Sequence, residues 1–324
     1  MTIFLILEKI KMLINNPENF DNDILDEINS ILDEETPGNK LSEMTYLERK
    51  FLNGIIRLTK PKKILEVGVA AGGSSSIILN AVKDMDNSIL YSIDYNEKFY
   101  RDKSKDSGFI VKEKFPHLLK NRKLYTGGVS AKFMDEIGND IDLCLLDTIH
   151  SNPGEFLDFL MVLPYMKKNA IIIIHDIFVA PTNLILFSAI RGEKILFNDK
   201  NQIFKNYGIG AVILDDNIMD FIFDYFFLLK LNWNYMISDE DIEYIIRLFQ
   251  RHYDKDTVDF FIKVVNENKK EFYLNKILSD NIKKINKIAW WIPFRKTRDN
   301  FRERKINQLK NKLEEKNKLY KINR

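Results

Sequence analysis

The sequence predicts an α/β protein: a mostly parallel sheet with helices on both faces, extended by helices at its N- and C-terminal ends. Three observations carry this. Between residues 59 and 216, short apolar runs alternate with helical stretches, the pattern of strand–helix–strand crossovers. Several runs, Ile171 to Ile174 above all, are apolar at every position, as strands covered on both faces must be. The flanking segments, 1–58 and 217–288, instead carry apolar residues at helical spacing.

Taken in order, Ile24, Leu25, Ile28, Ile31 and Leu32 fall on one helical face. The turn Thr36-Pro37-Gly38-Asn39 interrupts the pattern. Ser42 is then the expected N-cap of a helix carrying Leu47, Phe51, Leu52, Ile55 and Ile56, which Pro61 stops. Six strands can be placed: 63–69, 89–95, 123–127, 141–147, 170–176 and 208–214, the last near the sheet edge. SSSIILNAVKDM and the stretch from Glu155 to Met166 are intervening helices. After residue 216, Phe221, Tyr225, Phe226 and Leu229 line one helical face, and 240–288 reads as further helices packing on the domain. The organisation is therefore 1–58 helical, 59–216 the α/β domain, 217–288 a helical extension, and 289–324 a basic tail.

Composition narrows the class. With 324 residues, 45% hydrophobic and 30% charged, the chain can bury a sizeable core as a soluble globular protein. Cys144 is the single cysteine and sits in the strand IDLCLLD, which excludes an internal disulfide and makes a core role the expected one. The apolar run Ile3 to Leu7 lacks a preceding basic segment and a following small-residue cleavage site, so it does not read as a signal peptide. No apolar run approaches the length of a membrane span. These features give a cytoplasmic expectation. Residues 291–324 hold 12 Lys/Arg against 4 Asp/Glu, a local +8, leaving −6 for the rest. That asymmetry implies an anionic partner for the tail.

The sharpest local signal is Leu65-Glu66-Val67-Gly68-Val69-Ala70-Ala71-Gly72-Gly73-Ser74-Ser75, between the first strand and its helix. An open α/β sheet places its ligand there. Gly68 allows a tight turn, and Gly72 and Gly73 let a ligand approach the helix N-terminal amides. Asp94 ends the second strand, where an acid can accept from both ribose hydroxyls. The glycine spacing is not that of a pyrophosphate-seating dinucleotide loop.

This E-x-G-x-x-x-G-G-S pattern resembles the first motif of class I S-adenosylmethionine (SAM)-dependent methyltransferases. The resemblance implies a Rossmann-like methyltransferase fold, whose mostly parallel sheet has seven strands, with SAM as cofactor. Glu66, Gly68, Ala70, Gly72, Gly73, Ser74, Ser75 and Asp94 would line its site. The family often has an acid or amide near the adenine after the third strand. Here Thr126-Gly127-Gly128-Val129-Ser130 stands in its place, with backbone or Ser130 as the candidate contact.

Two further strand ends carry polar clusters. The fourth ends in Asp147 and is followed by His150; the fifth ends in His175-Asp176. In a parallel sheet these are neighbours on the cofactor's edge. Asp147, His175 and Asp176 are candidate ligands for Mg2+ or another divalent metal, and His150 is a candidate base for a substrate hydroxyl. Each also has a plainer role, as a turn cap for the acids and as a hydrogen-bonding histidine. The spacing also resembles metal-dependent O-methyltransferases related to macrocin O-methyltransferase and the cephalosporin hydroxylase family, over roughly residues 45–215. Their adjacent pair is two acids; here its first member is His175. Asn152-Pro153-Gly154-Glu155 reads as a turn and helix start. Tyr95, Tyr100 and the charged segment 97–114 read as a solvated insertion, with a cover over the cofactor as the alternative.

In the tail, Trp290-Trp291-Ile292-Pro293-Phe294-Arg295-Lys296 sets aromatics beside cations. That mixture suits an anionic membrane surface, and equally a packed aromatic hook before a solvated basic helix. Ile306, Leu309, Leu313 and Tyr320 approach heptad spacing over too short a span for a coiled coil. No nucleic-acid-binding fold surrounds the basic run. The segment 287–304 resembles a short tail of bacterial surface-polysaccharide proteins. Together the resemblances imply a metal-assisted O-methyltransferase acting on a sugar hydroxyl of a surface polysaccharide or its precursor, with a homo-oligomer as a further expectation. A metal-dependent hydroxylase or hydrolase on the same fold, and a non-catalytic scaffold, stay open as alternatives.

Overall fold

The computed structural model describes residues 16–33, 41–197 and 208–322. The apolar run Ile3 to Leu7 and the turn at 36–39 lie outside them. The chain divides into two compact units, residues 1–260 and 261–324.

In the first unit, helix α1 (Asp26–Leu32) and helix α2 (Tyr46–Thr59) precede the sheet. Leu25, Ile28 and Leu32 are buried, as are Phe51, Leu52, Ile55 and Ile56, so the helical spacing read from sequence does mark the buried faces. The N-cap of α2 is Thr45, not Ser42. The Thr45 hydroxyl accepts from the Glu48 N–H, and the Glu48 carboxylate accepts from the Thr45 N–H. This reciprocal pair satisfies two otherwise orphaned donors; Ser42 has no acid three residues on.

The sheet contains β1 (Lys63–Val67), β2 (Ile89–Asp94), β3 (Arg122–Thr126), β4 (Ile141–Leu146), β5 (Met166–Ile174), β6 (Gly192–Phe197) and β7 (Ile209–Leu214). Their order is β3-β2-β1-β4-β5-β7-β6. The first five are parallel, and β7 runs antiparallel to both its neighbours. This is the seven-stranded, mostly parallel, Rossmann-like methyltransferase fold expected from sequence. Strand β7 lies near the sheet edge, as expected. Two details correct the reading. The edge itself is β6, whose Gly-Glu-Lys-Ile-Leu-Phe is not among the six strands placed from sequence. Strand β5 also begins earlier, at Met166 rather than 170.

The helices that follow the strands in the first unit are α3 (Gly73–Ala81), α4 (Phe109–Lys114), α5 (Met134–Ile137), α6 (Gly154–Val162), α7 (Pro181–Ala189), α8 (Ile222–Leu228) and α9 (Asp239–His252). Leu143, Leu145, Ile171 and Ile173 join one cluster with residues of α1, α2 and α3. The alternate residues Cys144, Leu146, Ile172 and Ile174 are just as buried. They point to the opposite face, where α6 packs against β4. Burial on both faces is why residues 143–146 and 170–174 of these strands are unbroken apolar runs. Each fully buried isoleucine contributes on the order of 1.5–3 kcal/mol as an upper bound. Cys144 is a free core thiol whose pKa burial pushes well up.

Helix α10 (Lys255–Trp290) runs through the division between units, and helix α11 (Arg295–Ile322) completes the second. No helix among the described residues is long and apolar enough to cross a membrane.

Candidate active site

The C-terminal ends of β1, β2, β4 and β5 surround a cavity of about 640 Å³. On one side stands the loop after β1. Gly68 has φ +94, and a Cβ there would meet the Asp147 carbonyl oxygen at 1.8 Å. Only glycine fits that left-handed, crowded position. Ala70 also has positive φ. It is held there by Asp94, whose Oδ2 accepts from the Val69 N–H at 3.0 Å and the Ala70 N–H at 2.8 Å. Asp94 Oδ1 accepts from the Asn96 N–H at 2.8 Å. Asp94 therefore ties the β2 end to the glycine loop while still facing the cavity.

Gly68, Ala70, Asp94 and Ser130 line the cavity; Gly73 and Ser74 line a small adjoining void of about 40 Å³. Glu66, Gly72 and Ser75 line neither and lie behind the wall that the others form. Fully buried Glu66 accepts hydrogen bonds from Ser74 and Ser75 at 2.6 Å and from Ser92 at 2.7 Å. Burial pushes its pKa up, while Arg122 and the three hydroxyls pull the other way. Arg122 also donates to Ser75 Oγ and to the Gly108 carbonyl. Glu66 is thus a brace between β1, β2 and the start of α3.

The segment 97–114 is not a solvated insertion. Phe99, Ile110 and Val111 are buried. The Gly108 and Ile110 N–H groups donate to the Ala70 and Ala71 carbonyls. Tyr95, Lys98, Tyr100 and Ser107 line the cavity. Glu43, ion-paired with Arg101, accepts from the Tyr100 hydroxyl at the same rim. The segment forms a wall over the glycine loop.

At the β4 and β5 ends, single atoms of Asp147, His175 and Asp176 lie within 4.8 Å of one another. His175 Nδ1 is 3.2 Å from Asp147 Oδ1 and 3.6 Å from Asp176 Oδ1. Its Nε2 is 3.5 Å from Glu48 Oε2, without a hydrogen bond. Burial works to lower the His175 pKa, but Asp147, Glu48 and Asp176 together raise it well above the ordinary value. Asp176 Oδ1 is likewise buried with no hydrogen-bond partner. Buried polar atoms are rarely left unpaired. Asp176 Oδ1, unpaired beside the Asp147 carboxylate and His175 Nδ1, is a donor set that fits a divalent cation.

His150 stands between the two strand ends. Its Nε2 is 3.0 Å from Asp176 Oδ2 and 3.7 Å from Asp147 Oδ1, and its Nδ1 is 3.3 Å from Glu155 Oε1. Burial alone would lower its pKa, but hydrogen bonds to Asp176 and Glu155 and the charge of Asp147 raise it to about 10. Both His150 and Asp176 hold positive φ, a conformation that Asp and His adopt more readily than most residues. Glu155 fixes the backbone here, accepting from the His150 and Ser151 N–H groups. Asn183, on α7, reaches His150 Nδ1 and the His175 and Asp176 carbonyls. The sequence reading missed Asn183; being buried, an amide on an otherwise apolar helix was the available signal.

Two more groups were missed. Asp158, on α6, lines the cavity and accepts from Ser130 Oγ at 3.2 Å and Thr148 Oγ1 at 3.0 Å. Burial and neighbouring Glu155 raise its pKa to about 7. The far wall comes from Tyr235, Met236, Ile237, Ser238, Asp241 and Ile245. Ser238 caps α9, and Asp241 in its first turn accepts from the Tyr95 hydroxyl at 3.1 Å. Asn152 ties this wall to the α6 turn, donating to the Leu231 and Asn232 carbonyls and accepting, through its own carbonyl, from the Asn234 N–H.

Residues 65–177 match a family described as a methyltransferase domain. No curated protein matches the chain. Among solved structures, the chain is similar to the O-methyltransferase TomG of Streptomyces achromogenes, solved in complex with SAM. That pair is 13% identical over 65% of this chain and 96% of that one, at a TM-score of 0.44. It is also similar to the cofactor-bound Rv0187 from MTB, with 12% identity, 64% and 96% covered, and a TM-score of 0.45. An O-methyltransferase from Bacillus cereus in complex with SAH is 12% identical, with 64% and 90% covered and a TM-score of 0.43.

Proposed function

We propose, from the premise that residues 65–177 form a methyltransferase domain, that this chain is a SAM-dependent, metal-assisted O-methyltransferase. One observation carries the reading. A single cavity joins the Asp94-pinned glycine loop to the strand ends bearing Asp147, His150 and Asp176, with His175 directly behind them. Donor site and proton-accepting site therefore share one cleft, as an in-place transfer between two bound reactants requires.

SAM supplies an electrophilic methyl group, and a divalent ion held by Asp147, His175 and Asp176 would favour the alkoxide form of an acceptor hydroxyl. The residues of the chain do the rest. The Gly68–Ala70 backbone and Asp94 offer a preformed, rigid wall for the donor. His150 takes the hydroxyl proton on Nε2 as the oxygen–methyl bond forms and the methyl–sulfur bond breaks. That role requires a neutral imidazole. Asp147 and Asp176 hold its proton when they are uncompensated, and cationic charge on them releases it. Asn183 and Glu155 orient the ring.

For the acceptor we favour a sugar hydroxyl in a surface polysaccharide or precursor. The resemblance of segment 287–304 to proteins of that chemistry supports this. So does the cavity wall, where Asp158, Tyr235, Ser238 and Asp241 offer hydrogen-bonding groups beside Leu157, Ile237 and Ile245. The test is transfer of labelled methyl from SAM to glycan and lipid-linked sugar fractions. Base-stable incorporation that is lost in His150→Ala is expected. Tight SAH binding with no transfer to any hydroxyl acceptor would remove the O-methyl assignment.

A further inference from the structure

We infer that the junction between α10 and α11 docks on an anionic lipid surface. The inference uses the second unit alone and stands apart from the catalytic reading.

Helix α10 ends at Trp290 and α11 begins at Arg295. The Trp291 and Ile292 N–H groups donate to the Ile288 and Ala289 carbonyls, closing the end of α10. Pro293 then prevents the helix from continuing. This short turn displays Ile288, Trp290, Trp291 and Phe294, exposed by 59%, 72%, 85% and 73%. Single exposed apolar residues need no explanation, but four large ones within seven positions make a patch.

The patch is set among cations. Lys283, Lys284 and Lys287 precede it and Arg295, Lys296 and Arg298 follow, with no acid anywhere in 283–298. All but Arg298 are exposed. This charge selects among possible occupants. A symmetric contact with a second copy would bring like charges together around the aromatics. A purely anionic glycan would leave the tryptophans in water. The boundary of an anionic bilayer satisfies both halves: indole rings settle at the headgroup level and Lys/Arg meet the acidic lipid. The contact inferred is peripheral, through the exposed aromatics and cations of this junction.

The test is flotation of the full-length protein with vesicles of phosphatidylcholine alone or with phosphatidylglycerol added. Binding to the anionic vesicles about tenfold or more above the neutral ones is expected, weakening with salt. A Trp290→Ala/Trp291→Ala/Phe294→Ala variant should lose it while melting at the wild-type temperature. Lys284→Gln, Lys287→Gln and Lys296→Gln should each lower it about fivefold. Equal binding to both vesicle types, no binding to either, or binding unaffected by the aromatic changes would overturn the inference. So would a lipid-free change of oligomeric state in the aromatic variant, which would assign the patch to self-association.

Discussion

The two halves of the cavity's floor are built on opposite principles. At the β1 and β2 ends, the acids are occupied internally: Glu66 by three serine hydroxyls and Asp94 by three backbone N–H groups. At the β4 and β5 ends, four titratable groups crowd together, and His175 Nε2 and Asp176 Oδ1 have no hydrogen-bond partner. The first half is a finished scaffold whose charges stabilise the loop. The second holds buried polar atoms without partners, and we propose that a bound cation completes it. Removing a charge should therefore damage folding on one side and chemistry on the other.

The largest expected effect is on the scaffold side. Glu66→Ala strands three hydroxyls and Arg122 in the interior and should cost roughly 3–5 kcal/mol, read as a large drop in Tm. Gly68→Ala should be comparably severe because of the 1.8 Å approach to the Asp147 carbonyl. On the reactive side, Asp147→Asn and Asp176→Asn each remove only part of the charge that supports His150 and His175, so Tm without metal should fall by less than in Glu66→Ala, while turnover falls by roughly 10²–10³-fold. Added Mg2+ should raise the Tm of wild type and not of these variants. A fall in stability as large as that of Glu66→Ala would erase the contrast between the halves.

A smaller effect separates the halves by pH. The folded-state pKa of His150 is raised from 6.5 to about 10. Its contribution to metal-free stability is thus fully present below pH 6.5 and disappears as pH rises through 10. Wild type should lose more Tm between neutral and alkaline pH than His150→Ala does, by an amount worth a few kcal/mol. Asp158 has the opposite sign. Its pKa is raised from 3.8 to about 7, so it weakens the fold increasingly as pH climbs between those values. Asp158→Asn should be stabilising above neutrality by on the order of 1 kcal/mol, after the weakened hydrogen bonds from Ser130 and Thr148 are counted. A variant less stable than wild type at alkaline pH would show that those hydrogen bonds outweigh the buried charge.

What the sequence made legible follows from what is local. The two-sided burial of β4 and β5 is written as unbroken apolar runs. Gly68, Asp94, Asp147 and Asp176 are marked by their places at strand ends. Strand β6 was missed because an edge strand covered on one side alternates weakly; only Ile195 of Gly192–Phe197 is buried. Ser42 was preferred to Thr45 because the reading stopped at the residue type and not at Glu48 three positions on. The bracing contacts of Glu66 with Ser74 and Ser92 are not legible locally, because they depend on strand pairing and helix placement. The wall from Tyr235 to Ile245 could not be read at all. Its link to the site, Tyr95 to Asp241, spans 146 positions, and no local pattern records a contact of that range.

The most direct test of the central claim, that one cavity holds the methyl donor beside a metal-ready cluster, is calorimetric titration of the protein with S-adenosylhomocysteine, with and without Mg2+. The account predicts micromolar binding in both conditions, altered by Mg2+ in wild type and indifferent to Mg2+ in Asp176→Asn. Absence of binding under either condition would contradict it and leave the fold without a methyl donor.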